Sequence, residues 1–174
     1  MALARTKYGG ELAVLFTWLC ALLPWSITAG TLPGTDIAVL WIRFLPLRFL
    51  YILGPGVPGQ RPLLPLWEVP GFVGTAGETT AAWIWIAGTL LFLVPLGISF
   101  LYYLDRDRVE SFGLDPVRVQ GALLVSVGLV FAVATGVLLQ ETPGTTVPVG
   151  TLFFILFGAI LLRLERVDTE AGSD

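Results

Sequence analysis

Residues Trp41 to Gly54 read WIRFLPLRFLYILG, with RFL occurring twice, five residues apart, and no other charge in the stretch. Between Ile37 and Leu53, eleven residues are Leu, Ile, Val or Phe. On an insertion scale those residues contribute about −3 to −7 kcal/mol, while two central arginines cost about 5 to 7. Hydropathy alone therefore leaves open whether this piece crosses a bilayer. The distribution of charge in the rest of the chain decides it.

The chain has 174 residues, 55% of them hydrophobic and 13% charged, whereas an average soluble domain is nearer half apolar and a quarter charged. The apolar residues also gather into long uncharged runs. Four runs are long enough to cross about 30 Å of hydrocarbon, which takes about 20 residues of helix. They are residues 12–29, 81–104, 119–139 and 147–164, and none has an ionisable side chain in its middle. Asp115 followed by Pro116 is an N-cap and first-turn pair for the third helix. Thr75 with Glu78 fits a capping box, so the second helix begins before its apolar run does. Trp83, Trp85, Tyr102 and Tyr103 stand at the two ends of that run as interfacial aromatics. Pro24 and Pro95 lie inside runs, where a proline in lipid is expected to kink a helix rather than end it. Arg5 and Lys7 precede the first run as in a signal peptide, but its length and the lack of a small-x-small cleavage site favour a retained span.

With four spans and a cytoplasmic N-terminus, the inner side holds Arg5, Lys7, Arg106, Arg108, Arg118, Arg163 and Arg166, and the outer side Arg43, Arg48 and Arg61. A fifth span through the RFL segment leaves five inside and three outside, with two arginines in the bilayer. The positive-inside rule favours four. The fold class expected is therefore an all-α membrane protein of four transmembrane helices. Its N- and C-termini are cytoplasmic, with an inner loop at 105–118 and a disordered acidic tail at 167–174.

The RFL segment then belongs to an outer connection of about 50 residues, 30–80, too long to lack structure of its own. On one regular strand Arg43 and Arg48 point to opposite faces, and on a helix they lie about 140° apart, so neither geometry makes one basic face. Pro46 between them suggests two short strands or a bent, partly embedded hairpin. The arginines are candidates for contact with an anion or lipid headgroup, or else snorkel and pair with Asp36, Glu68 or Glu78.

Helices in lipid associate through close backbone contact. The third run carries Gly121, Gly128, Ala132 and Gly136 along one stripe, the first carries Ala13, Thr17 and Ala21, and Gly150 and Gly158 mark the fourth. The third helix is expected to be central.

Histidine is absent and cysteine occurs once, which removes the imidazole base, ordinary haem ligation, a thiolate metal cage and an internal disulfide. No catalytic or metal motif appears, so no cofactor is expected. The polar residues of the runs are taken as Thr17, Cys20, Thr89, Ser99, Ser126 and Thr135. A net charge of −3 with a single lysine offers nothing to nucleic acid and suits a halophilic source. The segments GELAVLFTWLCALLPW, IRFLPLRFLY, DPVRVQGALL and PVGTLFFILFGAILL resemble a group of small, uncharacterised haloarchaeal membrane proteins. That resemblance implies a multi-pass fold and a cell-membrane location but no activity. The expected function is a non-enzymatic accessory or scaffolding subunit, its partners the lipid bilayer and a membrane protein or a second copy. The alternative is a small carrier or lipid- or anion-interacting protein using Arg43 and Arg48. A weaker third reading is an enzyme whose site in the outer connection uses Glu68, Glu78 or Asp36.

Overall fold

The computed structural model of the chain describes residues 4–6, 8–31, 34–54, 61–71, 74–105, 115–142 and 144–166. Most of the expected inner loop and the whole of the expected tail lie outside them. In chain order the described elements are β1 (Ala4–Thr6), α1 (Gly9–Leu22), β2 (Ser26–Thr31), β3 (Ala38–Arg43), β4 (Leu47–Leu53) and β5 (Leu63–Pro65). A 3₁₀ turn (Leu66–Gly71) follows, then α2 (Ala76–Leu104), α3 (Pro116–Glu141), β6 (Gly144–Val147), α4 (Val149–Arg163) and β7 (Leu164–Arg166).

The fold is not all-α. Five of the strands form one antiparallel sheet in the order β5-β4-β3-β2-β6, and two helices, α2 and α3, are long and apolar enough to cross a membrane. The expectation of four transmembrane helices is thus corrected, and its failures have local causes. The first run was read through to residue 29, but α1 stops at Leu22. Pro24 has no N–H to continue the ladder and pushes Leu23 into extended geometry, at ψ 140°. Pro24 therefore ends the helix rather than kinking it, and Ser26–Thr31 pairs as a strand with β3 and β6. At the fourth run, Val147 belongs to β6 and the helix begins at Val149. At 14 and 15 residues, α1 and α4 are about 21 and 22 Å long, short of about 30 Å of hydrocarbon.

The long helices start where their caps put them. Thr75 and Glu78 make both bonds of the capping box at α2, and the Asp115 side chain accepts from Val117 N at the start of α3, with Pro116 in the first turn. Pro95 sits within α2.

Ring contacts set the relative depth of the elements. Trp25, just past α1, lies 5.4 Å from Trp85 of α2 and 5.2 Å from Phe131 of α3. The four described helices therefore share one layer up to that level. Beyond it, residues 76–84 of α2 and 132–141 of α3 overhang the shorter pair by about 13 to 15 Å. The sheet sits at this end. Its β3–β4 hairpin tip reaches α2, β6 touches α3 and β2 touches α4. At the opposite end β1 pairs with β7 in parallel, Ala4 beside Leu164 and Thr6 beside Arg166.

Inside the layer the core is aromatic. Trp25, Trp85, Phe92, Phe131 and Phe154 are buried to 1% exposure or less, and they join through tilted, stacked and edge-on contacts. Such pairs add about 0.5–1.5 kcal/mol each beyond area burial. Of the four aromatics read as interfacial, Trp83 and Tyr103 are exposed, whereas Trp85 and Tyr102 are interior.

Candidate functional site

The RFL segment folds as the β3–β4 hairpin, and the pairing register changes what its two arginines can do. Arg43 of β3 stands directly opposite Arg48 of β4. Directly paired residues of antiparallel strands project to the same face, so a turn between them unites what a single strand would separate. Opposite faces hold only for one regular strand; of the alternatives suggested by Pro46 it is two short strands that form, and their register puts both arginines on one face. Ser26 of β2 is the direct partner of Arg43 on its other side. Ser26, Arg43 and Arg48 thus form one polar row across three strands, on the buried face of the sheet.

Arg43 is 6% exposed, and its Nη1 donates to Thr28 Oγ1 at 2.6 Å. Thr28 in turn shares a hydroxyl bond of 2.8 Å with Thr146 of β6, which ties the guanidinium to the sheet edge. Arg48 is half-buried, and its Nε is enclosed without a hydrogen-bond partner, as is the hydroxyl of Ser26. Burial pushes Arg43 down to about 9, the Arg48 charge acts in the same direction, and Glu78 opposes both. Arg48 is likewise pushed down by burial and held up by Glu78. Both guanidiniums remain charged at neutral pH.

Glu78 is the acidic group whose field reaches both arginines, but its oxygens are committed elsewhere. Oε2 accepts from the backbone N of Gly74 and Thr75, at 2.9 and 3.3 Å, and Oε1 accepts from Thr142 Oγ1 at 3.4 Å. One buried and one half-buried cation therefore share the field of a single carboxylate that is already serving a helix cap. Burying like charges side by side costs stability unless a counter-charge is supplied. Glu68 is paired with Arg61 at 2.7 Å, and Asp36 is exposed. Among the described residues no three acidic side chains cluster closely enough to hold a metal ion.

The hairpin tip is held from the helix layer. The Leu45 carbonyl accepts from Trp85 Nε1 at 3.1 Å and from Thr89 Oγ1 at 3.2 Å. Leu66 N donates to Pro46 O at 2.9 Å, and Phe44 N to Leu47 O at 2.9 Å.

The small residues named for packing are distributed unevenly. A Cβ on Gly121 would stand 2.9 Å from Gly158 O, and one on Gly158 would stand 2.7 Å from Gly121 O. These two glycines are where α3 and α4 touch backbone to backbone. Gly128 faces Ile155 and Phe154, and Gly150 faces Pro24 and Trp25. Gly136 meets nothing within 4 Å, and Ala132 is half-buried. On α1, Ala13 and Thr17 are buried and Ala21 is half-buried. Helix α3 contacts each of the other three.

Gln120 is a polar residue that sequence reasoning missed. It is 2% exposed, and its Nε2 donates to Thr17 Oγ1 at 2.6 Å and to Pro95 O at 3.0 Å. One amide thereby links α1, α2 and α3. Its place four and seven residues before Leu124 and Val127, on one face of α3, was the available signal.

A stretch of 80 residues, 45% of this chain, is 40% identical to Ammonium transporter 1 member 4 of Arabidopsis thaliana and spans 16% of that protein. A far longer match, over residues 2–166, is to the profile described as a family of unknown function, DUF7549. That match covers the sheet, its arginine hairpin and the four described helices, and the chain belongs to this family.

Proposed function

We propose that this chain is an integral membrane protein in which α2 and α3 cross the bilayer, and that it serves as a non-enzymatic accessory or scaffolding subunit. The membrane reading is supported by what the long helices expose. In their most apolar 18-residue stretches only 28% of α2 and 39% of α3 is buried, less than the mostly buried core helix of a soluble protein, and this supports the membrane reading. Leu90, Leu93, Leu101, Leu129 and Val133 are all half or more exposed, as are Leu152 and Leu156 of α4. A soluble monomer does not carry so large an apolar surface.

The observation carrying the accessory role is the closed interior. The space between the helices is filled by Trp25, Trp85, Phe92, Phe131 and Phe154. Apart from the Trp25 indole N–H, which is enclosed without a partner, the polar side chains named here are bonded within the protein: Thr17 to Ala13 O, Thr135 to Phe131 O, and Gln120 to Thr17 and Pro95 O. A carrier needs groups free to exchange water for solute along its path, and this arrangement favours a surface role. The likeness to an ammonium transporter spans too little of that protein to bring its substrate here.

The β1–β7 pair brings both ends of the described chain to the end of the helices away from the sheet. That end carries Arg5, Arg118, Arg163 and Arg166, and the sheet end Arg43, Arg48 and Arg61, which favours a cytoplasmic placement of the ends. The acidic, lysine-poor composition supports a halophilic source.

Two measurements test the proposal. The chain should stay in the membrane pellet after alkaline carbonate washing. Extracted in mild detergent, it should run with a second chain or a second copy by light scattering. Release by carbonate removes the membrane reading, and a lone monomer in every mild detergent removes the accessory role.

A further inference from the structure

We propose that Ser26, Arg43 and Arg48 form a binding site for a phosphate-type oxyanion, carried on a lipid headgroup or free in solution. Four observations converge on it. The three residues are consecutive cross-strand partners on one buried face. Two of their donors, Ser26 Oγ and Arg48 Nε, are enclosed with no hydrogen-bond partner, although enclosed polar groups are almost always bonded. The fully buried Ser26 lies in the same row as a guanidinium that is 6% exposed. Two guanidiniums share the field of one carboxylate, Glu78, which bonds to Gly74, Thr75 and Thr142 rather than to either arginine, so of two positive charges one has no acidic counterpart in that field.

An oxyanion answers each of these at once. Guanidinium N–H groups match phosphate oxygens in pairs, a serine hydroxyl donates to a third oxygen, and one or two negative charges balance the row. Arg48, the half-buried member, marks the side from which the ligand enters. Arg43, fixed by Thr28 and through it by Thr146, is the rigid wall. The site does not depend on the accessory role proposed above, because it asks only that the sheet fold as described.

The experiment uses the full chain, purified in a zwitterionic detergent, with Arg48→Gln, Ser26→Ala and Arg61→Gln beside it. Arg48 Nε and Ser26 Oγ have no partner to lose, so the first two variants should fold as the parent does, which a thermal melt and circular dichroism verify. Arg61 is a cation at the same end of the molecule, paired with Glu68, and controls for general attraction. Each protein is titrated with phosphatidylglycerol, followed by native mass spectrometry, and separately with inorganic phosphate, followed by thermal shift. The parent and Arg61→Gln should bind alike, while Arg48→Gln and Ser26→Ala bind about 10-fold more weakly, the loss of a charge-assisted hydrogen bond or an anchoring hydroxyl. Response to both ligands identifies a free oxyanion site, and response to the lipid alone identifies a headgroup site. If neither ligand binds, or if all four proteins bind equally, the site does not exist.

Discussion

Replacing Gly158 with alanine tests whether α3 and α4 are held together by backbone contact. The added methyl would lie 2.7 Å from Gly121 O, 2.7 Å from Val125 Cγ2 and 2.8 Å from Val125 N. Two of those three atoms are backbone and cannot rotate aside. Ordinary contact begins at 3.4 Å, so the helices must separate locally by about 0.7 Å. A gap of that size forfeits about a quarter to a half of each dispersion contact along the seam, and overpacking of this kind costs about 1–3 kcal/mol. Alanine recovers about 1 kcal/mol of helix propensity over glycine, so the net loss should be up to about 2 kcal/mol. Gly136→Ala is the matched control, because it has the same propensity gain and no neighbour within 4 Å. Thermal unfolding in detergent, monitored by near-ultraviolet circular dichroism, should place the order as Gly136→Ala at or above the parent and Gly158→Ala below it. If Gly158→Ala melts at or above Gly136→Ala, the backbone seam is not what joins these helices.

Gln120→Leu keeps the volume but removes both donors to Thr17 and Pro95, and should lower stability by about 1–2 kcal/mol in the same melt, since intramembrane hydrogen bonds average about 0.6 kcal/mol each. Thr75→Ala removes half of the capping box and should cost about 1 kcal/mol, seen as faster hydrogen exchange in the first turn of α2. Trp85→Phe combined with Thr89→Val strips the Leu45 carbonyl of both donors and should cost about 1–3 kcal/mol. Either single variant should cost less, because the other donor remains, and the non-additivity is read from a double-mutant cycle.

The parts of the fold that were legible in the sequence are those written in local chemistry. The capping box at Thr75 and the Asp115–Pro116 start are short-range patterns, and both helices begin there. The parts that were not legible depend on pairing between distant segments. Residues 26–29 carry no charge to end the first run, and pairing with 38–43 and 144–147 makes 26–31 a strand. A run of uncharged residues has no period that separates a span from a central strand, so Pro24 carried the deciding signal and its helix-ending sense was read as a kink. The arginine pair shows the same limit. Sequence spacing fixes the angle between two side chains on one element, whereas a hairpin replaces that angle with a register. Ser26 could not be joined to the pair at all before β2 was known to lie beside β3.

The opening question, whether the RFL segment crosses the bilayer, resolves into how non-helical backbone can sit at the level of the helix layer. Backbone there must find partners within the protein. The sheet supplies them along β3, which is paired on both edges, and the tip is completed by groups from elsewhere. Trp25 N closes on Arg43 O at 2.8 Å, Phe44 N on Leu47 O, and Leu66 N on Pro46 O. Pro46 itself has no N–H to satisfy. That leaves the Leu45 carbonyl, and α2 meets it with Trp85 and Thr89, one turn apart on the same helix face. These two residues therefore need no path or catalytic role to account for them: they are the donors that let a hairpin end in an apolar layer. The same accounting, extended to side chains, stops short of closure at three enclosed donors, Trp25 Nε1, Ser26 Oγ and Arg48 Nε. The oxyanion proposed above would bond to the two donors that the arginine row leaves over, Ser26 Oγ and Arg48 Nε.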